Sequence, residues 1–166
     1  MNTYDSDITD IYTDGSKVDG NVGCAWTDSH RLGNIIECQY MLASRCSNNQ
    51  AEKLAILKTL ENLLENTYKV YFHIVLHIDN MNVLHSLNNT NIHDPLTEEI
   101  RLKILQLQYF KKSVEVKWVK GHSGIEGNER ADSLAKEISS PMSSLLAGTQ
   151  CGMLQINHLV FTDNIT

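Results

Sequence analysis

The spacing of hydrophobic and polar residues changes several times along this chain, and each change predicts a different element. The first part holds three short segments rich in valine, isoleucine, tryptophan and tyrosine, at residues 8–14, 21–28 and 33–42. Short polar turns join them, which predicts three strands in an antiparallel meander. The first strand is expected to end at Asp14 and to turn at Gly15-Ser16.

The pattern then becomes helical and afterwards alternates between strands and helices. Apolar residues recur with a helical period over residues 48–65, with Ser47 or Asn48 as the expected N-cap. Residues 70–78 are almost continuously apolar, as in a central strand that is covered on both faces. Further elements are predicted as helices over 80–87, 95–109 and 126–138 and as a strand over 114–119.

Helices that connect the later strands imply parallel crossovers beside the antiparallel meander. The sequence therefore predicts an α/β fold with a mixed sheet and helices on both faces. We expect one domain over residues 1–139, because no clear period follows it. Residues 140–166 are expected to be a C-terminal tail or the start of a truncated segment.

Composition narrows the class of protein. With 42% hydrophobic and 20% charged residues, the 166-residue chain is expected to be a soluble, monomeric globular domain. It has no apolar stretch long enough to span a bilayer and no signal-peptide pattern, so we expect no membrane partner. The four cysteines lack the spacing of a zinc site or a disulfide framework. An intracellular protein of the cytoplasm or nucleus, not a secreted one, is therefore expected.

Four carboxylates and a histidine lie at the edges of predicted elements, namely Asp14, Glu52, Asp79, Asp132 and His122. Ligands of open α/β sheets gather beyond the carboxyl ends of the strands, where Asp14 and Asp79 are expected. Two carboxylates about 4 Å apart repel by roughly 4 kcal/mol at an effective dielectric of 20, so a cluster of four needs a cation. Oxygen ligands without cysteine favour two Mg²⁺ ions, with Mn²⁺ as a substitute.

Two such ions, bridged by shared carboxylates, would activate an attacking water and stabilise the leaving 3′-oxygen of a phosphodiester. His122 lies between Gly121 and Gly124 on a predicted loop, where it suits proton transfer or product departure. Two simpler explanations stay open at this point. Glu52 could be a charge that stabilises a helix start, and His122 could be an exposed loop histidine.

The motifs Thr13-Asp14-Gly15-Ser16, Asn48-Asn49-Gln50-Ala51-Glu52, Ile78-Asp79-Asn80, Trp118-Val119-Lys120-Gly121-His122-Ser123-Gly124 and Ala131-Asp132-Ser133-Leu134-Ala135-Lys136 occur in this order. The ordered set resembles the ribonuclease H family, and most of all the domains beside reverse transcriptases in non-LTR retrotransposon polyproteins. The resemblance implies a ribonuclease H fold with a five-stranded sheet in the order 3-2-1-4-5. It also implies an endoribonuclease that cuts the RNA strand of RNA/DNA hybrids and leaves 5′-phosphate and 3′-hydroxyl ends. Catalysis would fall to His122 and the metal ligands Asp14, Glu52, Asp79 and Asp132.

The same resemblance implies substrate contacts by Gly15, Ser16, Arg45, Ser47, Asn48, Asn49 and Asn80. Asn48 and Asn49 would read the 2′-hydroxyls of the RNA strand, although helix capping is an alternative role for both. Gly15 and Ser16 would let the backbone approach the RNA, while Arg45 and Ser47 would hold a DNA phosphate. Asn80 and Met81 stand where many relatives have serine and a longer polar residue, so one polar contact is either missing or supplied by Asn80.

The charge of the chain is unusual for a nucleic-acid enzyme. Its 14 basic and 20 acidic residues give a net charge of −6, whereas nucleic-acid binders usually carry a basic face. The short linker 88–95 also lacks the basic protrusion of cellular relatives. We therefore expect a tethered or neighbouring reverse transcriptase to help hold the hybrid. Two alternatives remain. The domain could be a catalytically silent hybrid-binding or structural module, or it could be a nuclease of this fold that acts on DNA.

Overall fold

The computed structural model describes residues 8–29, 35–66 and 72–141. Within these ranges, the strands are β1 (Ile8–Val18), β2 (Asn21–Ser29), β3 (Ile35–Leu42), β4 (His73–Ile78) and β5 (Ser113–Trp118). The helices are α1 (Asn48–Glu65), α2 (Met81–Asn88), α3 (Pro95–Tyr109) and α4 (Glu126–Ser139). The predicted alternation of strands and helices is confirmed, although the starts predicted for β3 and β4 lie outside the described residues.

The five strands form one mixed sheet in the order β3-β2-β1-β4-β5. β2 pairs antiparallel with β1 and with β3, while β4 pairs parallel with β1 and with β5. The predicted fold class and sheet order are therefore confirmed. β4 is buried at Ile74, Val75 and Leu76, as its continuously apolar sequence predicted.

Two glycines of the β1–β2 ladder show that α1 and α4 cover opposite faces of the sheet. A Cβ on Gly15 would lie 2.5 Å from the backbone nitrogen of Glu52 on α1, whereas one on Gly23 would lie 2.3 Å from Ile138 on α4. Gly23 pairs with Ser16, the neighbour of Gly15 in the strand, so the two glycines face opposite sides. The main hydrophobic core lies on the α1 side of the sheet.

The expectation that the first strand ends at Asp14 with a turn at Gly15-Ser16 was wrong. β1 continues to Val18, and the turn falls at Asp19 and Gly20, whose φ angles are 49° and 84°. Both values lie in the left-handed region that two-residue hairpin turns require. Because Gly15 has no side chain, the backbone of α1 packs directly against β1 at this position.

The first turn of α1 carries a complete capping box, and Ser47 is confirmed as the N-cap. The Ser47 hydroxyl accepts a hydrogen bond from the Gln50 amide at 3.2 Å, and the Gln50 side chain accepts one from the Ser47 amide at 2.8 Å. This arrangement satisfies two backbone donors that would otherwise have no partner in the helix. The cap fixes where α1 begins and hence where Glu52 lies.

A single arginine organises the short α2–α3 linker. Arg101 donates to the backbone carbonyls of Ser86, Leu87, Asn89 and Ile92 at 2.7–3.2 Å. The planar guanidinium can bind several carbonyls at once, so it closes the end of α2 against the start of α3.

The C-terminal part of the domain prediction stays a prediction, because residues 142–166 lie outside the described part of the chain. None of the helices in the described part of the chain has the length and apolarity needed to cross a membrane.

Candidate active site

Three of the predicted acids, Asp14, Glu52 and Asp79, come together at the edge of the sheet. One carboxylate oxygen from each lies within 4.8 Å of the other two. Asp14 follows the last parallel pair between β1 and β4, Tyr12 with His77, and Asp79 directly follows β4. The Glu52 side chain reaches the cluster from α1, and the close contact at Gly15 holds α1 against β1. The convergence expected from the strand ends is thus present in the structure.

The cluster is buried and electrostatically costly without a positive charge. Asp14 is 5% exposed and Glu52 is 3% exposed, so Glu52 lies deeper than the margin of the helix face. Burial first, and then the charges of Asp79 and Asp132, raise the pKa of Asp14 to about 7. Burial and the charges of Asp14 and Asp79 also raise the pKa of Glu52 well above its ordinary value.

One oxygen of this cluster has no partner of its own. Oε2 of Glu52 is buried and accepts no hydrogen bond from the described residues. A buried, unpaired carboxylate oxygen beside two further carboxylates is the environment that a divalent cation stabilises. The donor set consists of oxygens alone, so the residues fit a hard ion such as Mg²⁺ or Mn²⁺.

Asp132 does not join the three-acid group. Its carboxylate lies within 4.8 Å of His122 and Glu129 in a second group, and it accepts from Lys136 at 2.7 Å. Asp132 still contributes to the raised pKa of Asp14, so its charge reaches the cluster. The four predicted ligands therefore form a group of three and a fourth acid on α4.

His122 lies on the loop between β5 and α4, as predicted. Its side chain is 71% exposed, and Nδ1 lies 3.8 Å from a Glu129 oxygen. The other oxygen of Glu129 accepts from the backbone amide of Gly124 at 3.3 Å. Glu129 therefore contacts both the histidine and its loop. Sequence reasoning missed this residue, although its position three residues before Asp132 on one helix could have indicated it.

The same loop also supports Asp79. A Cβ on Gly121 would lie 2.9 Å from Oδ2 of Asp79, so only glycine leaves room for that carboxylate. The indole nitrogen of Trp118 donates to the backbone carbonyl of Asp79 at 3.1 Å. Sequence reasoning noted Gly121 only as a flank of His122 and gave Trp118 no role. Neither contact leaves a local signal, because each joins residues about 40 positions apart.

Four of the predicted substrate residues, Gly15, Ser16, Asn48 and Asn80, line the same cleft as the acids. Arg45, Ser47, Asn48 and Asn49 are exposed around the start of α1. Ser16 is buried, and its hydroxyl accepts from Ser139 at 3.2 Å. The cleft is lined by Asp14, Gly15, Ser16, Lys17, Val18, Asn48, Glu52, Asp79, Asn80, Met81, His122, Asp132 and Lys136.

The side chains of Lys17 and Asn80 hold the loop before α1 and the first turn of α1 in place. Lys17 donates to the backbone carbonyls of Ser44 and Cys46 at 3.1 and 2.9 Å. Asn80 caps α2 and donates to the side chain of Asn49 at 2.9 Å. Sequence reasoning did not identify Lys17, whose partners are backbone atoms that no motif records.

Comparison with known proteins places this geometry in a family. The RNase H family model matches residues 6–140. The chain is 30% identical over 142 residues to ribonuclease H of Pseudomonas entomophila, covering 78% of this chain and 92% of that protein. It is 27% identical over 144 residues to ribonuclease H of Bordetella avium, covering 80% and 90% of the two chains.

Solved structures of RNase H1 proteins share the fold of this chain. RNase H1 from Halobacterium salinarum superposes with a TM-score of 0.60 at 26% identity, covering 79% of this chain and 96% of that one. LC11-RNase H1, solved in complex with an RNA/DNA hybrid, gives a TM-score of 0.64 at 21% identity, covering 84% and 99%. The chain therefore belongs to the RNase H family of enzymes.

Proposed function

We propose that this protein hydrolyses the RNA strand of RNA/DNA hybrids and leaves 5′-phosphate and 3′-hydroxyl ends. The observation that carries the proposal is the position of the three acids, the buried Asp14 and Glu52 with the half-buried Asp79, beside the exposed asparagines Asn48 and Asn49. The acids supply a centre for phosphodiester hydrolysis, and the asparagines supply hydrogen-bonding groups for the minor groove of the substrate. The family and the named ribonuclease H relatives support the same activity.

Asp14, Glu52 and Asp79 would hold divalent cations, with Asp132 as the nearest additional carboxylate. Bound in a pair, Mg²⁺ ions supply activation of water and stabilisation of the leaving oxygen in phosphodiester hydrolysis. The unpaired oxygen of Glu52 and the raised pKa of Asp14 support a bound cation. Mn²⁺ offers the same preference for oxygen ligands and should substitute.

His122 is the protein group best suited to move a proton during turnover. Its exposed ring stands at the mouth of the cleft, and Glu129 holds the loop behind it. An imidazole ring nitrogen can either accept or donate a proton, so His122 can take up or release one as product leaves. This role predicts a slower reaction without His122, not an inactive enzyme.

Arg45 and Ser47 are proposed to contact a DNA phosphate, and the backbone at Gly15 and Ser16 to approach the RNA. The exposure of the first two supports that role. Gly15, by contrast, already packs against α1, so its backbone is available only on the side that lines the cleft.

The wider context of the chain is also a proposal. The motifs resemble those of retrotransposon polyproteins, and the net charge of −6 leaves little positive surface for a duplex. Lys112 is buried and Lys117 pairs with Glu115 at 3.2 Å, which reduces that surface further. We infer that an intracellular, neighbouring reverse transcriptase domain supplies the missing contacts.

The test uses one labelled sequence as an RNA/DNA hybrid, duplex DNA and single-stranded RNA, incubated with Mg²⁺ or with EDTA. Cleavage of the hybrid alone, lost in EDTA and in Asp14→Asn, is the expected result. Mapping the product ends by ligation checks for the 5′-phosphate. Comparable cutting of duplex DNA would instead indicate a DNA nuclease, and binding without cutting would indicate a silent domain.

A further inference from the structure

The side-chain amide of Asn80 sits between α2 and the substrate-side end of α1. Its Oδ1 accepts from the backbone amides of Asn82 and Val83 at 3.0 and 3.2 Å, which caps α2. Its Nδ2 donates to Oδ1 of Asn49 at 2.9 Å. Asn80 directly follows the acid Asp79, so this bond joins the acidic cluster to the asparagine pair on α1.

Chemistry determines the direction of the hydrogen bonds that link the α2 backbone to Asn80 and Asn80 to Asn49. Backbone amides only donate, so the atom of Asn80 that caps α2 must be its oxygen. The other end of the same carboxamide must then be its nitrogen, which also only donates. The atom of Asn49 that meets it must therefore be the oxygen, which turns the nitrogen of Asn49 outward.

Asn49 is consequently presented as a hydrogen-bond donor. Its side chain is exposed, and its Nδ2 has no acceptor among the residues that the structure describes. The adjacent Asn48 and Asn80 both line the cleft. A donor in this place suits a substrate atom that accepts.

We propose that Asn80 is a positioning residue that fixes Asn49 as a donor to hydrogen-bond acceptors in the minor groove of the hybrid. The inference rests on the proposed function. The acceptors of that groove are purine N3, pyrimidine O2 and the oxygen of the RNA 2′-hydroxyl. Without Asn80, the Asn49 amide is free to rotate and to present its oxygen to these same acceptors, which would repel it.

The experiment is a double-mutant cycle with wild type, Asn80→Ser, Asn49→Ala and the double variant. Serine at position 80 still caps a helix but cannot reach Asn49, so α2 should keep its stability. Asn82→Ser makes the same exchange two residues later, at an exposed side chain, and serves as the matched control. Hybrid affinity is measured by fluorescence anisotropy in Ca²⁺, and thermal unfolding is followed in parallel.

Asn80→Ser should weaken hybrid binding about two- to tenfold, the range of one net hydrogen bond, while Asn82→Ser should not. The double variant should bind as weakly as Asn49→Ala alone, because Asn80 acts through Asn49. Independent, multiplying effects would overturn the inference and would instead mean that Asn80 touches the substrate itself. An unchanged affinity in Asn80→Ser would overturn it as well.

Modified hybrids then test the donor. The substrates carry 3-deazapurines, 2-thiopyrimidines or 2′-deoxyribose in place of the RNA sugars. The affinity loss in Asn49→Ala should shrink on the substrate that lacks the partner acceptor, whereas an equal loss on all three overturns the donor role. A wild-type protein that binds no hybrid would refute the proposed function. Wild-type binding and cleavage with a failed cycle would refute only this inference.

Discussion

Gly121→Ala separates the geometry of the active site from the stability of the fold. The glycine does not lie in the left-handed region, so alanine can adopt its backbone conformation. The added Cβ, however, would lie 2.9 Å from Oδ2 of Asp79. Carbon and oxygen atoms in ordinary contact lie about 3.3–3.6 Å apart, so the carboxylate must move by roughly 0.5 Å.

The displaced atom is the end of a side chain, which can move by rotation at small cost in stability. Its position matters for activity, because a misplacement of about 1 Å at a reacting centre costs about 100-fold. We expect kcat/KM to fall roughly 10- to 100-fold, equivalent to about 1.4–2.7 kcal/mol. The thermal midpoint should stay close to that of the wild type.

The assay is steady-state cleavage of a labelled hybrid across a Mg²⁺ titration, with thermal unfolding of the same samples. Gly127→Ala provides the contrast, because its Cβ would lie 2.2 Å from the ring of Tyr12, which is stacked on His77. That overlap should cost about 1–3 kcal/mol of stability. Activity of Gly121→Ala within twofold of wild type would refute the reasoning. So would a loss of stability as large as that of Gly127→Ala.

Four further predictions follow from charge and hydrogen bonding. The pKa of Asp14 is about 7 in the folded state and 3.8 ordinarily, so in EDTA its stabilising contribution is complete below about pH 4 and is lost as the pH rises through 7. Asp14→Asn should therefore flatten the plot of thermal midpoint against pH, and an unchanged slope would contradict the raised pKa of Asp14. His122→Ala should lower kcat without raising the Mg²⁺ concentration for half-maximal activity, and complete inactivation would show a different role. Arg101→Lys should lower the free energy of unfolding in urea by about 2–3 kcal/mol, because an ammonium cannot bind four carbonyls at once. A loss under about 0.5 kcal/mol would contradict this role of Arg101. The isolated domain should bind hybrids weakly, with an affinity in Ca²⁺ that falls as salt rises, whereas nanomolar binding at physiological salt would remove the need for a neighbouring domain.

The sequence predicted those parts of the site that local patterns determine. The continuous apolar run of β4 placed Asp79 at a strand end. The helical period placed Glu52 near the start of α1, although it lies in the second turn of the helix and not, as expected, in the first. The ordered motifs implied the sheet order, which the strand pairing confirms. The signals for Asp79 and Glu52 lie within a few residues of the features that they predict, whereas the sheet order came from a resemblance that spans the domain.

The failures concern contacts between distant segments. Gly15 was expected in a turn because a glycine after an acid often marks one, but its neighbour is α1, more than 30 residues later. Glu52 was placed at the margin of the helix face, whereas the packing at Gly15 buries it. Asp132 stays a predicted ligand, because it lies on α4 outside the three-acid group but lines the same cleft.

Gly15 and Gly121 contribute to the acidic cluster by two different physical means. Beside Gly15 lies the backbone of α1, which cannot move aside without carrying Glu52 away from Asp14. Beside Gly121 lies only a carboxylate end, which can rotate while the strands and helices stay in place. The first contact therefore sets the distance between elements, and the second sets the orientation of one ligand. Because Asp14 and Glu52 are buried and the contact at Gly15 sets the distance between their elements, these two acids cannot reduce their repulsion by local movement. A bound cation or protonation is left as the means of relieving it.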